Sequence, residues 1–373
     1  MGGQSDKKEK NLLHCENFAR LRRRARRLIL PAENGTMPNM SYHDALNYLA
    51  QKTSVIELYD QLGGRAAVCP EWNGKILTST CDGLKGNSFG CVNVRAIEKE
   101  RFEDFGGEDQ WTISPLIYPF TVETIKENKA VLQRTLQMTD AYGKLVELNL
   151  SRSISLLSRQ KIGDWFGDAV AEALEQEDVS VVGFRTENTV RAQEKAHIAS
   201  RQRGMFNAGP HAFVIVSTPP KDYPWDSFSV EIDYLGRAPH GRILHLSQAL
   251  LIRADGHGQC QATVPYSVAP PILGAVELQF GTLTLWTFDL PDDSNSEDDV
   301  IRIYNSGSTH TDKLDWARYY EVNCFSTAQN LQPDAALSYR QHTLHIAADN
   351  HALGSLVRQI FDVELDEIPK NVR

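Results

Sequence analysis

Three carboxylates stand where an acid could do proton chemistry. Glu108 and Asp109 follow two glycines in the stretch 102–111. Glu321 lies inside the β-prone run 319–325, YYEVNCF, and a carboxylate is rarely buried in a strand without a partner. In a cleft, a carboxyl with a raised pKa can act as a general acid or base. The plainer alternatives are an acidic turn for the first pair and an outward-facing position in an alternating strand for Glu321.

Further polar side chains lie among strand-like segments and could hold hydroxyl or carboxylate groups. A guanidinium offers five donors for such groups, although an arginine is more often a surface charge or part of a structural ion pair. The candidates for substrate binding, with one tryptophan as a stacking face, are Asn188, Arg237, Arg253, Asn305 and Trp111.

Known catalytic motifs narrow the choice of chemistry. The chain has no Gly-x-Gly-x-x-Gly, phosphate loop or His-Glu-x-x-His, which argues against nucleotide enzymes and zinc proteases. Residues 86–90, GNSFG, match Gly-x-Ser-x-Gly, but no strand precedes them and no helix follows, so a glycine-rich turn is favoured over a serine nucleophile. His342 and His345 are three apart and would face opposite sides of a strand. No metal and no cofactor are predicted.

Composition excludes several classes of partner. The chain has 373 residues and a net charge of −9, which argues against a general nucleic-acid binder. No apolar run approaches the ~20 residues of a membrane span. The six cysteines form no Cys-x-x-Cys pair and are interpreted as free thiols in a reducing, cytoplasmic compartment. Oligomeric state cannot be predicted from these features.

The elements that must position these residues are mostly short strands. Gly and Pro interrupt β-prone segments at a spacing of roughly 10 residues, which is typical of a sandwich or barrel. We predict an all-β fold, a large antiparallel β-supersandwich over residues 41–365, with a short helix at 42–52, a second helix near 164–174 and a closing helix at 350–361. Residues 1–40 are predicted to form a disordered basic arm and 366–373 a tail.

Several segments, in their order along the chain, resemble those of one known superfamily. Each is weak alone, and together they extend over about Val55 to Phe361. They are 68–76 VCPEWNGKI, 88–93 SFGCVN, 105–109 FGGED, Asn188-Thr189, 234–239 YLGRAP, 304–307 YNSG, 320–322 YEV, 331–333 LQP and 344–346 LHI. On these segments the chain is similar to the galactose-mutarotase-like (aldose 1-epimerase) superfamily, and within it to an uncharacterised bacterial domain family.

The resemblance implies a β-supersandwich with one open cleft for a sugar. Mutarotation there uses a carboxylate base at the anomeric hydroxyl and a histidine acid at the ring oxygen. By position Glu321 matches the base. Phe105 stands where the resemblance would place one histidine, and the position of the second histidine falls in the run 203–206, which reads RGMF and has none. Glu108 or Asp109 could replace the acid if burial raises its pKa.

The expected partner is a sugar or a sugar-derived small molecule, and three functions of the protein toward it remain open. The first is a mutarotase-like epimerase, or a related enzyme that abstracts a proton from a modified sugar. The second is a non-catalytic carbohydrate-binding or sensing module, which accommodates the missing histidines. The third is a glycoside hydrolase or lyase, which needs Glu321 and either Glu108 or Asp109 to face each other at about 5–9.5 Å.

Overall fold

The computed structural model describes residues 40–110, 118–140, 142–217, 241–246, 248–290, 299–307, 318–365 and 368. Strands dominate this part of the chain. None of the helices described there is long and apolar enough to cross a membrane.

Among the residues that the structure describes there are twenty-one strands, all paired antiparallel. In chain order they are β1 Ile56–Tyr59, β2 Arg65–Cys69, β3 Lys75–Thr80, β4 Phe89–Gly90, β5 Gly107–Gln110, β6 Thr121–Lys126, β7 Lys129–Thr139, β8 Leu145–Leu156, β9 Ser180–Ala192, β10 Ala196–Ile198, β11 Arg201–Asn207, β12 Ala212–Ser217, β13 Ile243–His245, β14 Ala249–Arg253, β15 Cys260–Pro265, β16 Ile272–Glu277, β17 Thr282–Phe288, β18 Asp299–Asn305, β19 Tyr319–Phe325, β20 Gln329–Leu331 and β21 Ala336–Ala347.

These strands form two large sheets and one small one. The nine-stranded sheet has the order β1-β2-β3-β5-β11-β19-β18-β15, with β4 paired to β3. The ten-stranded sheet has the order β13-β14-β12-β16-β17-β21-β9-β8-β7-β6, and β10 pairs with β20 alone. The predicted large antiparallel β-sandwich is therefore confirmed.

Five helices are found in the described part of the chain. They are α1 Tyr42–Ala50, α2 Val94–Glu98, α3 Arg159–Phe166, α4 Asp168–Ala173 and α5 Asn350–Phe361. The helices predicted at 42–52 and 350–361 are confirmed as α1 and α5. Each begins after a residue whose side chain caps it, Ser41 for α1 and Asp349 for α5. The single helix predicted over 164–174 is wrong, since Gly167 at φ +90° divides that stretch between α3 and α4.

Buried apolar side chains pack either between the two large sheets or beneath the helices. Two clusters fill the space between the sheets, around Phe184 and Trp286. A third, around Phe361, lies under α3, α4 and α5 against the ten-stranded sheet. A fourth, around Tyr42, lies under α1 and α2 against β2 and β3, so the helices cover only one end of the outer face of the nine-stranded sheet. Farther along that face, on β11, β18 and β19, polar side chains follow.

The double glycine of the 102–111 stretch allows β5 to enter the nine-stranded sheet. Gly106 has φ +97°, and a Cβ there would lie 1.9 Å from the carbonyl oxygen of Cys91. Gly107 has φ +72°, and its Cβ would lie 2.4 Å from the carbonyl oxygen of Ile76. Only glycine tolerates both this backbone conformation and this closeness. The two glycines therefore fix the position and direction of Glu108 and Asp109.

Candidate functional site

Strand β5 directs its two acids to opposite faces of the nine-stranded sheet, because successive side chains of a strand alternate. Glu108 is level with Ile76 of β3 and Gly204 of β11. Its carboxylate reaches across the interior to Thr343 of the other sheet, at 2.8 Å from Oγ1 to Oε2. Asp109 is level with Arg203 and points to the outer face.

Glu321 lies on the same outer face as Asp109. In the register of β11 with β19, Arg203 is opposite Asn323 and Met205 is opposite Glu321. The neighbours Tyr320 and Val322 pack into the core between the sheets. The alternation of YYEVNCF therefore directs the carboxylate outward, as the plainer interpretation of Glu321 predicted.

Arg203 joins the two carboxylates of this face. Its Nε lies 3.4 Å from Oδ1 of Asp109, and its Nη1 lies 3.7 Å from Oε1 of Glu321. Its Nη2 donates to the carbonyl oxygen of Glu103 at 2.9 Å. On the far side, Nζ of Lys75 lies 3.1 Å from Oδ2 of Asp109.

The two acids differ in their access to solvent. The side chain of Asp109 is 2% exposed and that of Glu321 is 12% exposed. Burial alone would raise the pKa of Asp109, but the charges of Lys75 and Arg203 hold it at about 2. Asp109 is therefore a buried anion that orients Arg203, and Glu321 is the more exposed of the two carboxylates.

Hydrogen-bonding groups of both kinds surround Glu321. Asn323 donates to Oε2 of Glu321 at 3.4 Å and accepts from Nη2 of Arg201 at 2.6 Å. Nη2 of Arg201 also lies 4.0 Å from Oε2 of Glu321. Tyr319 lies two residues before Glu321 on β19 and therefore on the same face of the sheet. Burial raises the pKa of Tyr319, so its hydroxyl stays protonated. We call Lys75, Asp109, Arg203, Glu321, Arg201, Asn323 and Tyr319 the outer-face cluster.

A second polar group lies between the sheets and is closed to solvent. Arg152 is fully buried. Its Nε donates to the carbonyl oxygen of Gly74 at 3.0 Å, and its Nη1 donates to Oδ1 of Asn188 at 2.8 Å. Nδ2 of Asn188 donates in turn to Oε1 of Gln202 at 2.6 Å. Together with Glu108, Gln341 and Thr343, these residues form what we call the inner network.

Burial raises the pKa of Glu108 to about 7. Hydrogen bonds from Thr343 and Gln341 and the charge of Arg152 oppose this rise without cancelling it. The carboxyl has the pKa of a general acid, but it faces the protein interior rather than the outer-face cluster.

Comparison with known sequences decides the family. One family model matches residues 40–118 and 110–372, which is most of the chain. The chain belongs to DUF6786, a family of unknown function. No curated protein matches its sequence.

Several solved structures are similar to this DUF6786 chain. A galactose mutarotase-like protein from Lactobacillus casei is 9% identical over 79% of this chain and 99% of that one, with a TM-score of 0.48. A galactose mutarotase-like protein from Clostridium acetobutylicum is 11% identical over 80% and 99%, with a TM-score of 0.44. A GalM/aldose epimerase homologue from C. elegans is 10% identical over 80% and 100%, also at 0.44. None of these likenesses says what the DUF6786 chain binds.

The remaining predicted site residues lie apart from the outer-face cluster or outside the described residues. Asn305 accepts from the backbone N–H of Gly256 at 2.9 Å and donates to the carbonyl oxygen of His257 at 2.9 Å, so it holds the turn after β14. At that turn, Nε of Arg253 lies 3.2 Å from Oδ2 of Asp255. Trp111 and Arg237 lie outside the described residues.

Sequence patterns missed the basic members of both polar groups in the DUF6786 chain. Lys75 lies in a glycine turn-and-strand segment with no sign of its burial, and Arg152 lies in a strand that alternates polar and apolar residues. A signal for Arg203 was present, since it falls in the RGMF run where the resemblance would place a histidine. Arginine at this position orients carboxylates, but it cannot donate a proton near neutral pH.

The serine and histidine motifs are not assembled into a hydrolase or a metal site. Ser88 precedes the short strand β4 and shares a hydrogen bond of 2.5 Å with Thr78, so it is not on a nucleophile elbow. His342 stacks on Trp165, whereas His345 stacks on Phe89. Among the residues that the structure describes, no three His, Cys, Asp or Glu side chains are grouped as metal ligands would be.

Proposed function

We propose that the outer-face cluster binds a sugar or a sugar derivative, and that Glu321 takes a proton from one of its hydroxyl groups. The observation that carries this proposal is the position of Glu321. Its carboxylate is the more accessible end of an ordered row that runs through Arg203 to Asp109 and Lys75. A polyol both donates and accepts hydrogen bonds, and this row offers carboxylate acceptors beside guanidinium, amide and phenol donors.

The order of the row favours proton abstraction by a fixed base. Lys75 and Asp109 neutralise each other in the buried part, so Arg203 is held on one side by charges that do not depend on a ligand. Arg203 and Asn323 in turn restrict the carboxylate of Glu321. A base that is already oriented loses little conformational entropy when it meets its substrate. A mutarotase-like epimerase is the reaction that this arrangement, together with the sequence resemblance, supports best.

Neither of the two predicted acids suits this reaction. Glu108 is on the opposite face, so its pairing with Glu321 in a glycoside hydrolase or lyase does not fit the structure. Asp109 shares the face of Glu321, but its low pKa keeps it ionised. The hydroxyl of Tyr319, two residues from Glu321 on the same face, is the group that could supply a hydrogen bond to the ring oxygen. Because these observations leave no carboxylic acid, a non-catalytic sugar-binding module is the second candidate.

Proton NMR of freshly dissolved α-D-glucose and α-D-galactose separates the two candidates. D-Glucuronate joins the panel because two arginines flank Glu321. If Glu321 is a general base, the wild-type protein accelerates anomer exchange, and Glu321→Gln slows it by roughly 100-fold or more. Glu108→Gln is the matched control, since it makes the same change on the other face of the sheet and should leave the rate unchanged.

Binding measured in the same samples by saturation transfer decides the remaining case. Saturation transfer to a sugar without faster anomer exchange supports the non-catalytic module. If no sugar of the panel shows saturation transfer or faster anomer exchange, that result would contradict a sugar site of either kind.

A further inference from the structure

A third arginine extends the polar surface around Glu321. Arg302 lies on β18, directly opposite Asn323 of β19. Its neighbours Ile301 and Ile303 pack in the core between the sheets, so the side chain of Arg302 points to the outer face. Arg302 and the outer-face cluster therefore share one surface of the nine-stranded sheet.

Two guanidinium groups lie beside the ring of Phe325 at one end of this surface. The Cζ atom of Arg201 is 5.3 Å from the ring centroid, and the Cζ atom of Arg302 is 5.6 Å from it. A cation–π contact attracts a guanidinium to an aromatic ring without using its N–H groups. All three residues are partly exposed, so this end of the surface is open to solvent.

Positive charge exceeds negative charge on this surface. In the described part of the chain, four basic side chains stand against two carboxylates, Lys75, Arg203, Arg201 and Arg302 against Asp109 and Glu321. The nearby carboxylate of Asp104 is paired with Arg101 at 2.7 Å and does not offset this excess. The chain as a whole has a net charge of −9, so the positive surface is a local feature of an acidic protein.

The arginines are close enough to affect one another. Burial, together with the positive charges of Arg203 and Arg302, lowers the pKa of Arg201 to about 10, although the charge of Glu321 opposes this effect. Arg302 forms no ion pair with any residue that the structure describes. An anion bound here would relieve the mutual repulsion of the guanidinium groups.

We propose that the sugar bound by the outer-face cluster is an acidic sugar, and that Arg201 and Arg302 bind its carboxylate or phosphate group. This inference rests on the proposed function, because it names the class of sugar for the same site. A guanidinium presents a planar fork of N–H donors that matches the oxygen atoms of either anion. A neutral sugar would remove water from these donors without supplying a charged acceptor.

The spacing along β19 allows one sugar to reach both ends of the surface. Arg302 is level with Asn323, which lies two residues beyond Glu321. Two residues of an antiparallel strand span about 7 Å. A single hexose can bridge this distance, with one hydroxyl group at Glu321 and its anionic group beside Arg302.

Calorimetric titration of the wild-type protein with D-glucose, D-glucuronate and D-glucose 6-phosphate tests the proposal. We expect at least one of the two acids to bind about 10-fold more tightly than D-glucose or better, because it gains hydrogen bonds between charged groups. The acid that binds more tightly shows whether the surface selects a carboxylate or a phosphate. Its advantage should shrink as sodium chloride is added, because salt screens exposed charges.

The outcomes separate this inference from the proposed function. D-Glucose binding as tightly as both acids would overturn the acidic sugar and leave the sugar site standing. No binding of any of the three compounds would contradict both. Sodium acetate and sodium phosphate supply the anions without a sugar and should bind more weakly than the preferred acid. Equal affinity for the anion alone would also overturn the proposal.

Three variants test the part played by Arg302. Arg302→Gln should lower the preference for the acid over D-glucose about 10-fold. Arg302→Lys keeps the charge but loses the planar fork, so its preference should lie between those of Arg302→Gln and the wild type. Arg358→Gln makes the same change in charge on α5, where the side chain is 58% exposed, and should leave the preference unchanged. Thermal unfolding checks that each variant is folded, and a wild-type preference in Arg302→Gln would contradict the assignment.

Discussion

Glu108 and Asp109 are consecutive in the chain, yet their carboxylates lie on opposite faces of the nine-stranded sheet. Glu108 belongs to the inner network, where burial raises its pKa to about 7. Asp109 belongs to the outer-face cluster, where Lys75 and Arg203 hold its pKa at about 2 against the effect of burial. Two acids that looked interchangeable in the sequence therefore have different protonation states and different roles.

The inward position of Glu108 predicts a pH-dependent stability. Its folded-state pKa of about 7 lies above the ordinary value of 4.5, so the carboxyl destabilises the fold as pH rises from 4.5 to 7. Glu108→Gln removes this effect, and we expect it to raise the free energy of unfolding by up to roughly 3 kcal/mol above pH 7. Urea unfolding between pH 4.5 and 8 measures the difference, which should vanish toward pH 4.5. A difference that is constant with pH would show that Glu108 does not titrate in this range.

The buried pair of Lys75 and Asp109 predicts a partial rescue between two substitutions. Lys75→Met removes one of the two basic partners of the buried Asp109. Breaking a buried pair in this way lowers the free energy of unfolding by about 3–5 kcal/mol. The double variant that adds Asp109→Asn removes the uncompensated charge and should recover part of this loss. Denaturant unfolding of the wild type, both single variants and the double variant gives the coupling. Strictly additive losses would argue against a coupled pair.

The double glycine predicts a strong steric effect on β5. Gly107→Ala places a methyl 2.4 Å from the carbonyl oxygen of Ile76 at a φ of +72°. Gly143 has a similar φ of +81° but open space around a Cβ, so Gly143→Ala is the matched control. The control should cost about 1–2 kcal/mol for its backbone conformation alone, and Gly107→Ala should cost at least ~2 kcal/mol more. Equal losses of stability in the two variants would mean that β5 can move away from β3.

Asn188 was predicted to bind substrate, but it lies in the inner network, where it contacts Arg152 and Gln202. Asn188→Ala removes the acceptor of Arg152 and the donor to Gln202, and each buried group left unpaired costs about 1–3 kcal/mol. We expect a clear loss of stability and an unchanged affinity for sugar. Unfolding and sugar titration of the same sample test both parts. Weaker sugar binding with unchanged stability would return Asn188 to the binding site.

Much of the fold could be predicted from local pattern. The apolar spacing of 350–361 matches α5, and the run 319–325 matches β19 residue for residue. The alternation of that run also allowed an outward Glu321. These features depend only on neighbours in the chain. Gly167, which divides α3 from α4, was not recognised as a break, because an isolated glycine in a helical pattern is often tolerated.

The site could be predicted only in part, because its contacts depend on which strands pair. Nothing near Asp109 in the sequence indicates that Arg203 and Lys75 will neutralise it, since both come from other strands. The same holds for Arg152 and Asn188, which meet through the pairing of β8 with β9. The candidate acids could be recognised from their residue types. Which of them share a face of the sheet depends on the strand register, which the sequence does not show.

Titration of the wild type, Glu321→Gln and Glu108→Gln with D-galactose, D-glucose and D-glucuronate tests the central claim most directly. If the outer-face cluster is the sugar site, at least one of these sugars binds, and Glu321→Gln weakens it about 10-fold or more because a charged hydrogen bond is lost. Glu108→Gln then binds that sugar as the wild type does. Full affinity in Glu321→Gln, or an equal loss in both variants, would contradict a sugar site on this face.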